Sequence, residues 1–378
     1  MNYVVIGAGA AGVAAVKEIL KIRQDNDNIS IITDEDYPFY YRPRLIEYLS
    51  GEVDDKDLII NNKKWFADNN IDLNLSEEII NIDFDNKEVI SEKNIYKYDR
   101  LLLANGAHAF KPPITGNDKK NIFTLRNLSD AKRIYRKAVK LKKAAVIGGG
   151  LLGIEAAANL KKTDLEVTVV ERSGWCLNRQ LDKKGGELLI DRLRNEKDIN
   201  FLLEASTEEF LGDQYVKEIL LNDNKMLQVD LVLLSTGVRS NIELFKDTKL
   251  AIKRAVNVDS YMRTNIEDVY AAGDIAEYNG KFYGIWLPSM KMGQVAGRNM
   301  SGQKYEFPGI VSSHTLKVAG INVVSAGNLD PNHEFTHEIE EGDKKYKRVV
   351  RNSAGKAVGL IIVGQFDEQD QILAEVKS

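Results

Sequence analysis

An α/β fold with parallel sheets is what this chain predicts, and three observations predict it. Apolar strands and helices alternate along most of its 378 residues, the pattern of repeated βαβ units. Two glycine-rich turns, Gly7-Ala8-Gly9-Ala10-Ala11-Gly12 and Gly148-Gly149-Gly150-Leu151-Leu152-Gly153, each follow a Val/Ile strand and open an alanine-rich helix. Both halves also end in the same punctuation. Leu101-Leu102-Leu103-Ala104 runs into Asn105-Gly106, and Leu231-Val232-Leu233-Leu234-Ser235 into Thr236-Gly237.

The first strand, Tyr3 to Ile6, leads straight into the first glycine turn. In such a turn the first glycine permits a tight bend, the second lets the backbone approach a pyrophosphate, and the third packs helix against strand. The phosphates then sit on the positive helix N-terminus. One such turn is a weak signal, but two in the same strand-to-helix context are strong, so the chain reads as a holder of two dinucleotides. The strand Ile29 to Ile32 ends in Thr33-Asp34-Glu35, where a carboxylate can bond an adenosine ribose. Asp34 is the first candidate and Glu35 the second. Lys111 to Gly116, with two prolines, reads as a linker. The second unit opens with Ala144 to Ile147, and its next strand, Glu166 to Glu171, ends in an acid at about 20 residues from the glycines. Further strands fall near Phe201 and Val216. Asp268 to Asp274 is another buried strand, whose terminal carboxylate could bond a ribityl hydroxyl. Ser289 to Met300 reads as a helix with Pro288 near its first turn. From Pro308 the pattern changes to short alternating strands with glycine turns, a small α+β domain. The expected division is 1–109 with 231–307 as one discontinuous unit, 110–230 as the second, and 308–378 as the third.

Length allows two or three domains at roughly 100 to 200 residues each. The net charge is −4, with lysines mixed among acids, so no nucleic-acid footprint is indicated. There is no basic leader and no apolar run near the roughly 18 residues of a membrane span; a soluble, cytoplasmic protein is expected. A single cysteine, Cys176, excludes an internal disulfide and any Cys-x-x-Cys metal site.

Together the paired turns, the Ala104-Asn105-Gly106 and Thr236-Gly237 junctions and Tyr270-Ala271-Ala272-Gly273-Asp274 resemble the flavoprotein pyridine-nucleotide oxidoreductases. The resemblance covers nearly the whole chain and implies two Rossmann-like domains of glutathione-reductase type, for FAD and for NAD, with the second inserted into the first. Tyr41-Arg42-Pro43, Gly237-Val238-Arg239-Ser240-Asn241 and Thr315-Leu316-Lys317-Val318 look most like the rubredoxin reductases and the related front portion of nitrite reductases. Asn105 stands where the family usually has threonine.

Carried over, the resemblance implies that Gly7, Gly9, Ala10, Ala11, Gly12 and Asp34 (or Glu35) hold the diphosphate and ribose of FAD, with Arg42 and Pro43 beside the flavin. Ile79 would read the adenine through its backbone, Ala104, Asn105 and Gly106 would line the junction, and Gly273 and Asp274 would hold the ribityl-phosphate end. Gly148, Gly150, Leu151, Leu152, Gly153 and Glu171 would bind NADH, with Glu155 near the nicotinamide and Thr236-Gly237 at the second junction. The helix from Ser289 would aim its N-terminus at the flavin pyrimidine. Trp286 would pack near that helix, and Lys317 would reach the flavin from the C-terminal domain, favouring its anionic reduced form. Arg42 and Lys317 are the candidate catalytic residues. Glu171 would also repel a 2′-phosphate, which favours NADH over NADPH. Disulfide reductases of this superfamily carry sulfur where this chain has Tyr40-Tyr41-Arg42-Pro43-Arg44-Leu45. Electrons would therefore pass directly from flavin to a one-electron carrier, with acidic rubredoxin the implied partner, a basic edge at Arg42, Arg44 and Lys317 to meet it, and a monomer as the working form; the alternatives are a reductase for a ferredoxin or flavodiiron protein, and an NADH oxidase or nitrite-reductase-like diaphorase.

Three features are expected to carry no chemistry. Cys176 reads as an incidental loop thiol. His333-Glu334-Phe335-Thr336-His337 matches a zinc motif that works only on a helix, whereas its surroundings alternate as a strand. Four strand residues at about 3.3 Å each would hold the rings roughly 13 Å apart. Lys132, Arg133, Arg136, Lys137 and Lys140, interleaved with Ala131, Ile134, Ala138 and Leu141, read as the solvated face of an amphipathic helix.

Overall fold

The computed structural model describes residues 1–310, 313–318, 320–330 and 332–378. Its first sheet is fully parallel, in the order Val269–Ala271, Arg100–Leu103, Asn2–Ile6, Asn28–Ile32, Ile71–Asn74. Asn2–Ile6 is central, with Val4 facing Ser30 on one side and Leu101 on the other. A strand covered on both faces wants an unbroken apolar run rather than alternation, which Val4, Val5 and Leu101 to Leu103 supply while wholly buried. Each such side chain contributes about 1.5–3 kcal/mol on leaving water.

The second sheet repeats this plan in the order Asn200–Leu202, Glu166–Val170, Lys143–Ile147, Leu231–Leu234, Ile122–Thr124, again all parallel. Leu231–Leu234 pairs with Lys143–Ile147 through Val146 and Leu233. The boundary expected before Leu231 is thereby corrected, since that strand belongs to the second sheet. The chain returns to the first unit only after Ser235. Its outward and return crossings, Ala107–Ala109 and Val238–Ser240, pair antiparallel with each other.

Residues Trp286–Met300 form one helix, starting three residues earlier than expected. Pro288 sits in its first turn, where a missing N–H leaves no bond unmade. This helix lies against Ala10–Ile19 at a spacing that only glycine allows. A Cβ on Gly293 would fall 2.1 Å from the Ala11 carbonyl oxygen, and one on Gly297 2.3 Å from that of Ala15. Arg298 crosses the same seam to the buried Glu18 at 3.0 Å.

The C-terminal region is an antiparallel sheet in the order Ser313–Val318, Ile321–Gly327, Ala357–Val363, Lys345–Arg351, Thr336–Gly342, packed by helix Gln369–Lys377. It rests on the helix Lys183–Lys197, whose N-cap Asp182 accepts from the Tyr346 hydroxyl at 2.6 Å and from Arg348 at 3.1 Å. The two histidines do not stand 13 Å apart as expected. The strand begins only at Thr336, His333 turns with φ +56°, and the two Nδ1 atoms lie 3.3 Å apart. His337 Nε2 bonds Asp330 at 2.8 Å. Among the described residues no three His, Cys, Asp or Glu side chains are grouped to hold a metal, and no helix is long and apolar enough to cross a membrane.

Candidate dinucleotide and electron-transfer site

The two glycine turns have the same construction. Gly7 has φ +107°, and a Cβ there would lie 2.3 Å from the Ala104 carbonyl oxygen; Gly148 has φ +112°, with its Cβ 2.4 Å from that of Ser235. The repeated leucine-strand punctuation thus has a cause, because the residue ending each leucine strand is the wall against which the first glycine turns. The third glycines, Gly12 and Gly153, each press a would-be Cβ to 2.0 Å from the carbonyl oxygen of the first. The middle glycines differ. A Cβ on Gly9 or Gly150 would meet nothing within 4 Å, so both backbones face open space. They are the N-caps of Ala10–Ile19 and Leu151–Lys161, neither carries a side-chain cap, and the first-turn amides of Ala10, Ala11, Leu151 and Leu152 make no helical bond. Open space in front of uncapped amides suits a pyrophosphate.

The acids at the strand ends are used differently. Glu171 folds back, accepting from Gly149 N at 2.6 Å and Ser173 N at 2.8 Å. Cys176 is buried behind the same glycine, and a Cβ on Gly149 would reach its Sγ at 2.7 Å. Burial, and then the Glu171 charge, push the thiol well above its ordinary range, so it is a packing group without thiolate character. In the first unit Glu35 is engaged by Arg42 Nη2 at 2.6 Å and by the Tyr40 hydroxyl at 2.5 Å. Asp34 is the carboxylate that stays open to solvent. The protein around it, and secondarily Glu35, hold its carboxyl above the usual value.

Arg42 also donates from Nη1 to the Arg126 carbonyl at 2.6 Å, while Arg126 Nη2 reaches Asp274 Oδ2 at 2.7 Å. Asp274 Oδ1 accepts from Ser289 Oγ at 3.2 Å, and its backbone carbonyl accepts from Ser240 Oγ at 2.7 Å. Glu35, Arg42, Arg126, Asp274 and Ser289 therefore form one string of alternating partners across the mouth of the first sheet. Arg126 was absent from the expected set, since a lone arginine before a helix N-cap gives no signal in sequence. Gly273 turns at φ +81° against Ala11, where a Cβ would lie 2.9 Å from the alanine methyl. At the junction Asn105 Nδ2 donates to the Asn241 carbonyl at 2.9 Å, and Asn241 Nδ2 to the Asn105 carbonyl at 2.6 Å. Asn105 Oδ1 is buried without a donor. Thr236 locks the second junction, its Oγ1 donating to the Phe110 carbonyl at 2.7 Å, and Gly237 turns there at φ +97°. Gly106, at φ +66°, lies beside Arg126 Nη2, 3.6 Å from its would-be Cβ.

Trp286 opens its helix stacked on Phe39 at 5.7 Å and meets the edge of Tyr41 at 5.1 Å. Tyr41 is 38% and Leu287 58% exposed, which leaves an apolar rim beside the exposed Pro43. Arg44 on this rim is paired with Glu47 at 2.7 Å. Glu155 lies on Leu151–Lys161, against which the short helix Leu45–Tyr48 packs. Burial, and then the Glu47 charge, raise its carboxyl to about 7. Ile79 opens the strand Ile79–Asp83 and packs on the first core. Lys317 stands exposed on Ser313–Val318, a strand that touches the Glu155 helix; the structure does not join it to the Arg42 string.

Two open phosphate cradles on two parallel sheets define a protein that holds two dinucleotides, and the comparisons agree. Residues 1–298 match the pyridine nucleotide-disulphide oxidoreductase model, and residues 313–378 the rubredoxin NAD+ reductase C-terminal domain. The chain belongs to the pyridine nucleotide-disulphide oxidoreductase family. It is 36% identical over 380 residues to a nitrite reductase [NAD(P)H] of Bacillus subtilis, covering 100% of this chain and 47% of the relative. It is 34% identical over 332 residues to an NADH-rubredoxin oxidoreductase of Clostridium acetobutylicum, covering 88% and 83%. The crystal structure of an NADH:rubredoxin oxidoreductase from that organism superposes with a TM-score of 0.86 at 31% identity, covering 99% and 94%. The chain spans about half the length of the first two curated relatives it matches, 47% and 48%. The family uses FAD and NAD(P)H. The residues present fit both groups: each cradle is open where a backbone must approach a pyrophosphate, and Asn105 Oδ1 is an acceptor left waiting at the junction.

Proposed function

We propose that this chain is an NADH:rubredoxin-type oxidoreductase, moving electrons from NADH by way of FAD to a small iron-containing carrier protein. When bound, the flavin accepts a hydride pair and can release electrons singly. Gly7, Gly9, Ala10, Ala11, Gly12 and Asp34 would hold FAD, with Glu35 acting through Arg42. Gly148, Gly150, Leu151, Leu152, Gly153 and Glu171 would hold NADH. Arg42 and Arg126, held by Glu35 and Asp274, would present oriented guanidinium N–H groups to the ring end, where reduction builds negative charge. Lys317 would add to it if the C-terminal sheet draws closer. Glu155, half protonated near neutrality, would hold a proton beside the nicotinamide.

One observation carries the reading. The single thiol is sealed behind Gly149 in the second unit, whereas the rim at Arg42 presents Tyr41, Trp286 and Leu287. Electrons leaving there have an apolar docking rim and no sulfur relay. The similarity of residues 313–378 to a rubredoxin reductase domain supports the choice of carrier. Arg44 is largely neutralised by Glu47, so the rim holds less free positive charge than expected from the sequence, and docking would depend more on Tyr41 and Leu287 than on salt.

The test is an acceptor panel under anaerobic conditions. NADH should bleach the yellow protein, and rubredoxin should reoxidise it faster than ferredoxin or oxygen does. A rubredoxin rate no greater than that of oxygen would overturn the proposal. A second reading follows from the match to nitrite reductase over the full chain: the same electrons would pass to a nitrite-reducing domain or subunit, and rapid reoxidation by such a partner rather than by rubredoxin would favour it.

A further inference from the structure

We propose that the cleft between the edge strand Ile122–Thr124 and the helix Leu128–Ala138 is a binding site for a nucleoside phosphate, separate from both dinucleotide cradles. The strand is the outermost of the second sheet, two strands away from Lys143–Ile147, which carries the second glycine turn. The cleft encloses about 430 Å³, within the range of small-molecule sites. Lys111, Lys120, Arg133 and Lys137 line it, together with Phe123 and Tyr215, and no carboxylate does.

The basic helix expected to be a uniform solvated face is in fact divided. Lys132 is turned away to Asp55 and the Tyr37 hydroxyl, and Arg133 is paired with Asp130 at 2.6 Å. Among the described residues no carboxylate comes within ion-pair distance of Lys111, Lys120 or Lys137. Lys120 and Lys137 arrive from different segments over one aromatic ring, their Nζ atoms 5.4 and 5.8 Å from the centroid of Tyr215.

Crowding unpaired ammonium groups costs energy, and cation–π attraction at an exposed ring offsets only about 0.5–1 kcal/mol for each. A chain of net charge −4 that nevertheless gathers such groups around a cavity is arranged for a multiply charged anion. Lysines meet phosphate as point charges, while Tyr215 and Phe123 bring to the lining aromatic side chains of the kind on which a base stacks. The two features together select a nucleotide over inorganic phosphate. The inference does not depend on which protein accepts the electrons.

The test is calorimetric titration of the FAD-loaded enzyme, kept saturated with NAD+ so that the cradles are filled, with ADP and separately with tripolyphosphate. One ADP per chain is expected. Lys120→Glu with Lys137→Glu should weaken ADP binding by about tenfold or more, since two charge-assisted contacts are reversed. Tyr215→Ala should weaken ADP by more than it weakens tripolyphosphate. Flavin reduction by NADH, measured on each variant, should be unchanged and so reports that the fold is intact. Absence of ADP binding, or ADP binding indifferent to the double charge reversal, would overturn the site. Tripolyphosphate binding as tight as ADP, with Tyr215→Ala without effect on either, would overturn its assignment to a nucleotide.

Discussion

The two dinucleotide units share one backbone solution and part company at the acid that follows it. In the second unit Glu171 closes on the amide of Gly149, so carboxylate, turn and the Cys176 thiol form one compact plug. In the first, Asp34 is left open and its neighbour Glu35 is drawn off by Arg42, the start of a string that ends on Asp274 and Ser289. The difference teaches that a glycine turn specifies where phosphate goes, whereas the strand-end acid specifies how much of the neighbouring structure that phosphate can influence. The second turn is self-contained. The first is wired to the insertion through Arg126 and to the helix Trp286–Met300 through Ser289.

The largest way to break the comparison is at the third glycines. Gly12→Ala and Gly153→Ala each place a methyl 2.0 Å from a carbonyl oxygen, overpacking of a kind that costs about 1–3 kcal/mol. Gly12→Ala should yield protein with little bound FAD, seen directly in the visible spectrum. Gly153→Ala should keep its yellow colour yet lose bleaching by NADH. Equal FAD content in both, with equal loss of bleaching, would show that the turns do not divide the cofactors as proposed.

Next in size is Glu171→Ala. A charge-assisted hydrogen bond is worth about 1.5–3 kcal/mol, so kcat/KM for NADH should fall by about tenfold or more, and the preference for NADH over NADPH should narrow. A wild-type preference for NADPH would sink the assignment of this carboxylate.

A smaller effect tests Glu155, whose raised carboxyl belongs to the second unit alone. Its value in the folded protein, about 7, lies above that of an ordinary glutamate. Its contribution to stability is therefore fully present below the ordinary glutamate range and is lost as pH rises through about 7. Glu155→Gln should melt increasingly above wild type as pH climbs from about 4.5 to 8. A melting difference that does not change with pH would refute the shift.

The smallest change in activity is expected from Cys176→Ser, which should leave flavin reduction by NADH and reoxidation by the acceptor intact while lowering stability by about 1–3 kcal/mol through a buried hydroxyl. Thiol labelling of the native protein should be slow and should speed up on unfolding. Lost turnover with FAD retained would bring sulfur back into the electron path.

Much of this contrast was legible before the structure, because glycine spacing and strand-end acids are local signals. The two glycine turns and the strands and helices that flank them follow from residues close in sequence, whereas Glu171, expected to face a ribose, accepts from the amide of Gly149. Long-range pairings were not legible. Leu231–Leu234 reads like Leu101–Leu103, and apolar periodicity states that a strand is buried without saying in which sheet, so the expected boundary falls five residues early. Arg126 finds Asp274 across 148 positions, with nothing in its local sequence to announce it. Gly293 and Gly297 look like mild faults in a helix until the backbone of Ala10–Ile19 is seen against them. The separation of His333 and His337 failed because a left-handed residue before the strand folds the motif back on itself.

The crossings between the two units carry a consequence for how this architecture can be altered. Ala107–Ala109 and Val238–Ser240 leave and re-enter side by side, and Thr236 fastens the second to Phe110. Everything between them leaves and returns at one place, yet this cassette is tied to its host, through Arg126 to Arg42 and Asp274 and through Asp182 to Tyr346 and Arg348. A replacement unit joined at this clasp would therefore have to bring its own counterparts of Arg126 and Asp182, or leave Asp274 and Arg348 without their ion pairs.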